Sequence, residues 1–414
     1  MNMISVAEFV SRSARDRGWR ALVVGGWVRD FVVGLEPKDL DIEVSCFNPS
    51  TPCNIALVRE WLDGIAENVK EVGVAFGVFD MSIDGIEVQV SLPRKDSKIG
   101  IGHTAGFDVE VLPYMDLADA AQRRDFTFNS MFYDPLSRGI LDHHKGYEDA
   151  LDWTIRVTDP EHFGEDPLRF LRGARFSTKR RKFNVPGGTA SECFRASFEY
   201  GSLPKDRLWG EWYKIARGAF PGNAVRFLDM TNTIWVYPEL ERTRYLLQSP
   251  TWHPEGTVLS HTINTMDKAA MICNRDEVYG ESRAVIVLSA MLHDIGKQSV
   301  GLDPKTDVNH RHELLSAELA SKFMDAIGVP NDIRVRVYKL IELHMRGVGA
   351  DSMKAPAVRR LARDLCPATI SEWLKLNEAD KSSKFMGEHI GMSREARAVD
   401  RLSRNMLKIG RAHV

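Results

Sequence analysis

Asp39 and Asp41 carry the first chemistry legible in this chain of 414 residues. The apolar positions of Pro37-Lys-Asp-Leu-Asp-Ile-Glu-Val44 alternate, so the segment reads as a strand. Residues two apart on a strand share a face, which puts both carboxylates on one side and Leu40 and Ile42 on the other. Two carboxylates on one face make a hard oxygen site suited to Mg²⁺. Just upstream, Ala21-Leu-Val-Val-Gly-Gly-Trp-Val-Arg-Asp30 reads as a buried strand, a Gly-Gly turn and a helix. The glycines let a phosphate approach the backbone, and the free N–H groups of the helix face it. A metal site beside a phosphate site is what nucleotidyl transfer requires.

Gln122-Arg-Arg-Asp-Phe-Thr-Phe-Asn-Ser130 adds paired arginines, which bind phosphate oxygens in a bidentate way. Asp125 is expected to hold Arg124, and Asn129 to cap a turn or touch a sugar. Glu87, on a strand ending near Val90, is a candidate third carboxylate. Gly164 to Phe176 predicts one helix, with Glu165 and Asp166 at its start and Pro167 in its first turn. Asp166 and Arg169 are then neighbours on its surface. A carboxylate accepts and a guanidinium donates, so the pair matches an exocyclic amine beside a bare ring nitrogen. Cytosine and adenine present that edge; uracil and guanine present the reverse. Arg172 is expected near the nucleotide and Arg175 further round the helix. From Glu165 to Lys182 there are seven basic and two acidic side chains. The run Lys179-Arg180-Arg181-Lys182 reads as a place for an RNA backbone. Arg207, Glu211 and Lys214 share one face of a further helix and read as architecture.

Eight of the 12 histidines lie after residue 250. His293 and Asp294 are adjacent in Leu288-Ser-Ala-Met-Leu-His-Asp-Ile-Gly-Lys297. His261 precedes them on another helix, and His312, His344 and Asp380 follow. Imidazoles and carboxylates converging from several helices make a transition-metal site. Such a site lowers the pKa of bound water and hydrolyses phosphate esters.

The elements that must position these groups are strands mixed with helices before about residue 145, and helices after it. Residues 5–18 and Asn54–Leu62 read as helices. Gly73–Phe79 and Ile83–Val90 read as strands around a turn at Asp84-Gly85. Arg94 to Phe107 reads as a mobile loop near the site. Net charge is −2, which excludes a globally basic nucleic-acid coat but not a local basic patch. The five cysteines are odd in number and scattered, which predicts reduced thiols in a cytoplasmic protein. No signal-peptide pattern opens the chain, and its longest apolar stretch, Val285–Leu292, falls short of the roughly 20 residues of a membrane span.

Four motifs now stand in order: Gly25-Gly26-x-Val28-Arg29-Asp30, Asp39-x-Asp41, Arg123-Arg124-Asp125-Phe126-Thr127 and Glu165-Asp166-Pro167-Leu168-Arg169. Together they resemble the bacterial-type (class II) tRNA nucleotidyltransferases, the CCA-adding enzymes. The likeness runs from about residue 21 to about residue 240, and through the His-Asp cluster to at least Asp380. It looks closest to the multifunctional branch, in which an HD phosphohydrolase domain follows the transferase; Trp252-His-Pro-Glu255 fits that branch. The resemblance implies an α+β chain. A polymerase-β-like head with a small mixed sheet would span 1–145, an all-α neck 146–250, and an all-α HD domain with its tail 251–414. It implies addition of C, C and A to tRNA from CTP and ATP, and hydrolysis of 2′,3′-cyclic phosphates or phosphate esters.

Carried over, the Mg²⁺ carboxylates fall on Asp39 and Asp41. Nucleotide contacts fall on Gly26, Arg29, Arg124, Arg172 and Arg175, and base selection on Asp166 and Arg169. The HD ligands fall on His261, His293 and Asp294, then His312, His344 and Asp380, holding a transition metal such as Ni²⁺ or Mn²⁺. Partners would be tRNA, CTP and ATP, with no membrane, and the chain would act as a monomer or homodimer. Phe128 and Ser130 depart from the smaller apolar residue and the alanine usual at those places. Alternatives are an A-adding, CC-adding or poly(A)-adding enzyme, or a tRNA-binding protein active only as an HD hydrolase.

Overall fold

The computed structural model describes residues 2–46, 48–72, 77–98, 107–300, 311–346 and 354–384, then 391, 392, 397 and 399–404. The chain forms two compact units, one of residues 1–169 and 182–202, the other of 170–181 and 203–414.

The first unit opens with α1 (Met3–Asp16), whose start is capped by Asn2 accepting from the Ser5 N–H. Its buried face, Val6, Ala7, Val10 and Ala14, is fixed further by Ser11 donating to the Ala21 carbonyl at 2.8 Å. β1 (Arg20–Val24), α2 (Gly26–Val32), β2 (Leu40–Ser45), α3 (Ile55–Ile65), β3 (Glu67–Glu71), β4 (Val78–Ile83) and β5 (Ile86–Ser91) follow. After them come β6 (Arg94–Lys98), β7 (Phe107–Val111), α4 (Leu117–Gln122), β8 (Phe132–Asp134), β9 (Gly139–Leu141) and α5 (Gly146–Leu151). The main sheet runs β3-β4-β5-β2-β1-β8-β9, and a two-stranded sheet pairs β6 with β7. β2 and β5 are parallel while the other pairs are antiparallel, so this is the mixed sheet expected. Its α4-facing core is Leu22, Val24, Ala120, Ala121 and Phe132.

α6 (Arg169–Ser177) crosses the boundary between the units, and α7 (Gly187–Ser197) belongs to the first. The second unit is helical: α8 (Lys205–Ala216), α9 (Gly222–Met230), α10 (Pro238–Glu241), α11 (Val258–Arg275), α12 (Gly280–Leu292) and α13 (Lys297–Val300). It closes with α14 (His312–Ala326), α15 (Asn331–Glu342), α16 (Ala355–Leu365) and α17 (Ile370–Ser383). α12 is buried from Arg283 to Leu292 without a break, which marks a central helix rather than a surface one. A capping box between Thr369 and Glu372 starts α17.

Several expectations are corrected. The strand that carries Asp41 begins at Leu40, so Asp39 lies just before it and is exposed. No single helix runs from Gly164 to Phe176. Phe163–Glu165 is a 3₁₀ turn, Asp166 is extended at φ −112° and ψ 98°, and α6 starts only at Arg169. Pro167 restricts the residue before it to extended conformations, which is why the helix waits. The ends of the predicted loop, Arg94–Lys98 and Phe107–Val111, are paired strands, and its middle lies outside the described residues. Cys46 and Cys53 form a disulfide, against the expectation of five reduced thiols.

Candidate active sites

In the first unit the strand β1 delivers the chain to Gly25 at φ +68°, a backbone conformation that disfavours any residue with a Cβ. An added Cβ there would stand 3.6 Å from Arg124 Nη1 and 3.7 Å from Asp41 Oδ2. Three of the sequence motifs therefore meet within one side chain's reach of Gly25. Burial raises the Asp41 carboxyl above its usual range; Arg124 opposes that shift, while Asp39 and Asp80 reinforce it. A cation among these acids would restore the charged form.

Asp80 was not found from the sequence, which offered Glu87 instead. The register explains it. Asp41 sits opposite Gln89 on β5, and Gln89 sits opposite Asp80 on β4. Gln89 Nε2 then donates to Asp80 Oδ1 at 2.8 Å, fixing that carboxylate on the Asp41 side. Glu87 is exposed and pairs with Ser82 one step further along.

Glu43 was missed as well, although it continues the Asp39, Asp41 alternation. It is 2% exposed, and its Oε2 accepts from Arg123 at 3.0 Å and Arg124 at 3.2 Å. The paired arginines are thus clamped on one buried carboxylate. Asp125 accepts from the Phe126 N–H and from Asn129 Nδ2, both at 2.8 Å. Asn129 Oδ1 in turn accepts from Arg29 at 2.6 Å. Arg29 is 4% exposed, pairs with Asp30, and lies 5.9 Å over the rings of Phe128 and Trp153. In this structure Arg29 and Asn129 lock α2 to the double-arginine motif; Gly26 stands against the Arg29 guanidinium.

Asp166 accepts the Leu168 N–H on its side chain and the Arg169 N–H on its carbonyl. The Arg169 guanidinium donates to two backbone carbonyls, His162 at 3.1 Å and Arg123 at 2.9 Å. Beside it opens a cavity of about 890 Å³ whose lining includes Arg94, Lys95, Arg123, Asp159, His162 and Arg169. The hydrogen bond that His162 Nδ1 donates to Asp159 at 2.6 Å raises the imidazole's pKa and favours its charged form beside that carboxylate.

In the second unit Arg175 donates to Glu211 at 2.6 Å and lies 4.1 Å over the Phe176 ring, which Arg172 also faces at 5.8 Å. Glu211, read as architecture, is the buried partner of Arg175. The basic run Lys179–Lys182 forms turns after α6, with Arg181 and Lys182 exposed. Asn223 Nδ2 holds that turn by donating to the carbonyls of Arg180 at 2.8 Å and Arg181 at 3.3 Å.

The predicted HD ligands all converge. His261 lies on α11, His293 and Asp294 just after α12, His312 opens α14, His344 follows α15 and Asp380 lies on α17. His261 Nε2 is 3.1 Å from Asp380 Oδ1, 3.3 Å from His293 Nε2 and 3.6 Å from Asp294 Oδ2. His312 Nε2 is 3.1 Å from Asp294 Oδ1 and 3.3 Å from His344 Nε2. Asp294 therefore belongs to two ligand groups, one oxygen in each. Among the described residues, the groups close enough to share an ion all lie in this unit. In the first unit Asp39 and Asp41 make a more open pair.

Several donors are held in the protonation state that metal binding needs, while His261 is pushed the other way: burial would lower it, but its hydrogen bonds to Asp380 and Glu255 raise it. Burial pushes His293 down and His344 down to about 3, keeping those imidazoles neutral. Burial alone would raise Asp294, but His293, Lys297 and His312 hold it well below the usual carboxylate range. Lys297 Nζ is 2.7 Å from Asp294 and donates to Gln248 at 2.8 Å. Gly296 lets α14 close on the site: a Cβ there would fall 2.4 Å from the His312 carbonyl and 2.4 Å from the Ser316 nitrogen.

Residues 21–156 match the family described as the poly A polymerase head domain, and residues 258–383 match the HD domain. The multifunctional CCA protein of Hahella chejuensis is 29% identical over 315 residues, covering 74% of this chain and 68% of that protein. The Bacillus stearothermophilus CCA-adding enzyme, solved in complex with CTP, superposes with a TM-score of 0.59 at 18% identity, covering 99% of this chain and 83% of that one. A tRNA nucleotidyltransferase solved with a primer tRNA and an incoming ATP analogue gives 0.61 at 19% identity, covering 97% and 98%.

Proposed function

We propose that this chain, which belongs to the CCA-adding tRNA nucleotidyltransferases with a C-terminal HD domain, adds C, C and A to the 3′ end of tRNA from CTP and ATP without a template. The observation that carries the reading is the meeting of Asp41, Arg124 and Gly25, with Arg169 hydrogen-bonded to the backbone of Arg123. That meeting supports reading these residues as one assembly, with a place for metal, a place for phosphate and a residue that would read a base.

Asp39 and Asp41 would hold Mg²⁺, which when bound supplies charge neutralisation for the triphosphate and acidifies the attacking hydroxyl. Arg123 and Arg124, aimed by Glu43, grip the triphosphate. Gly25 leaves the backbone bare where the phosphates pass. Asp166 accepts from the exocyclic amine of cytosine or adenine and Arg169 donates to the ring nitrogen, which discriminates against uracil and guanine. Gly26, Arg29, Arg172 and Arg175 support the nucleotide, and Lys179, Arg180, Arg181 and Lys182 bind the tRNA backbone. We assign 1–145 to the head, 146–250 to the neck and 251–414 to the HD domain, in a cytoplasmic protein.

The HD domain is a second, phosphohydrolase centre acting on 2′,3′-cyclic phosphates or phosphate esters. His261, His293, Asp380 and Asp294 Oδ2 would hold one cation, and His312, His344 and Asp294 Oδ1 another; divalent cations there would supply charge for a phosphate and lower the pKa of water.

The test is incubation with CTP, ATP or both, on tRNAs ending before CCA and after CC. Addition of C, C and A in order is expected. No incorporation on either tRNA would overturn the reading, and A added only after CC would select a partial enzyme.

A further inference from the structure

His261 is held differently from His293 and His344. His293 Nδ1 lies 2.9 Å from the Ala290 carbonyl and His344 Nδ1 lies 2.7 Å from the Ile341 carbonyl, each a residue of the preceding helical turn. Those contacts fix the tautomer and leave Nε2 for a metal, but they are neutral. His261 Nδ1 is instead 2.7 Å from Glu255 Oε1, a carboxylate 5% exposed on the stretch that leads into α11. The same oxygen is 2.9 Å from His253 Nδ1, and Ser383 Oγ lies 3.0 Å from His261 Nδ1. Ser383 also donates to the carbonyl of Asp380, the carboxylate nearest His261 Nε2.

We infer that Glu255 is the positioning residue of the cation position formed by His261, His293, Asp380 and Asp294 Oδ2, and that it acts on that position alone. By accepting the Nδ1 proton it presents the Nε2 lone pair to the ion, and its charge makes that nitrogen a stronger donor. Glu255 touches neither His312 nor His344 in the described structure, so the second position should not feel its loss. The inference rests on the two-position reading of the HD centre.

Ni²⁺ titration of the metal-stripped full chain decides it. Asp39→Asn and Asp41→Asn are present throughout, so that the head takes up no ion. Two ions per chain are expected. Glu255→Gln, which removes the charge but keeps the shape, should weaken one association step by about 10–100-fold and leave the other within about twofold. Asp380→Asn should weaken that same step, while His312→Ala should remove the other. A carboxylate that merely stabilised the fold would weaken both steps together or neither, and either result overturns the inference. Should the background chain bind a single ion, the two-position reading falls by itself. Glu255 then keeps its role only if Glu255→Gln weakens that single step. If Glu255→Gln does not fold, Glu255→Asp, which withdraws the carboxylate by one methylene, takes its place with the same expectation.

Discussion

The two candidate cation sites are built in opposite ways. Asp39 is exposed, Asp41 is half-buried, and the third acid, Asp80, reaches the pair only across two strands. The HD centre is more enclosed: His261, His293, Asp294, His312 and His344 are each at most 4% exposed, and Asp380 alone of the six is partly open, its side chain 29% exposed. Three of its histidines are already turned by partners on Nδ1. The difference suits the ions proposed for each. Mg²⁺ dehydrates reluctantly and is held by one or two carboxylates plus substrate phosphates, so a site for it would have to stay open until the nucleotide arrives. A transition metal bound by imidazole would need a cage of its own, and burial there keeps His293 and His344 neutral.

The comparison breaks most sharply at single carboxylates. Asp41→Asn should lower nucleotide addition by on the order of 10³-fold or more while leaving phosphohydrolysis within about twofold. Asp294→Asn should do the converse, with both activities assayed on the same preparations. Equal loss of both activities from either change would mean the sites are not independent. Next is Glu43→Gln, which removes the charge that clamps both arginines. We expect a fall of about 10²-fold in kcat/KM for CTP and ATP, with phosphohydrolysis intact; unaltered steady-state constants would show that Arg123 and Arg124 hold their places without it. Gly296→Ala should push α14 off the HD turn. Overpacking of this kind costs about 1–3 kcal/mol, read as a lower Tm of the helical unit and loss of hydrolysis, with CCA addition kept at temperatures below that Tm.

The smallest effect concerns pH. Burial raises the Asp267 carboxyl to about 6, against Gly222, whose N–H donates to it at 2.8 Å. A folded-state pKa above the unfolded value favours the protonated form, so folding is penalised as pH rises through about 6. Asp267→Asn keeps an acceptor oxygen and loses the charge. It should stabilise the chain by on the order of 1–2 kcal/mol above pH 6, and the gain should vanish below pH 4. A Tm difference independent of pH would remove titration of this group as the cause.

How much the sequence disclosed also divides along the two sites. In the HD centre the six candidate ligands could be picked out because an adjacent His-Asp pair with further histidines on helices is a metal-ligand pattern, and the structure brings every one of them together. In the head, Gly25, Asp41 and Arg124 were legible because each motif is local. Asp80 was not, because only strand register brings it to Asp41, and register is set by pairing partners distant in sequence. Glu43 looked like an ordinary strand residue until its burial beneath two arginines was visible. The start of α6 was misplaced because acids and a proline before a helix suit a first turn, yet Pro167 restrains Asp166 instead. The Cys46–Cys53 pairing depends on a loop closure that spacing alone does not reveal.

One hydrogen bond described above has a kinetic meaning. Arg169 donates to the carbonyl of Arg123, whose own side chain shares Glu43 with Arg124. Under the proposed roles, the residue that examines the base would be fastened to the residues that seat the leaving group. A nucleotide whose base failed to engage Arg169 would disturb the very segment that aligns its phosphates. Mistakes would then be penalised in turnover as well as in occupancy: raising the concentration of UTP or GTP would fill the site without making it productive.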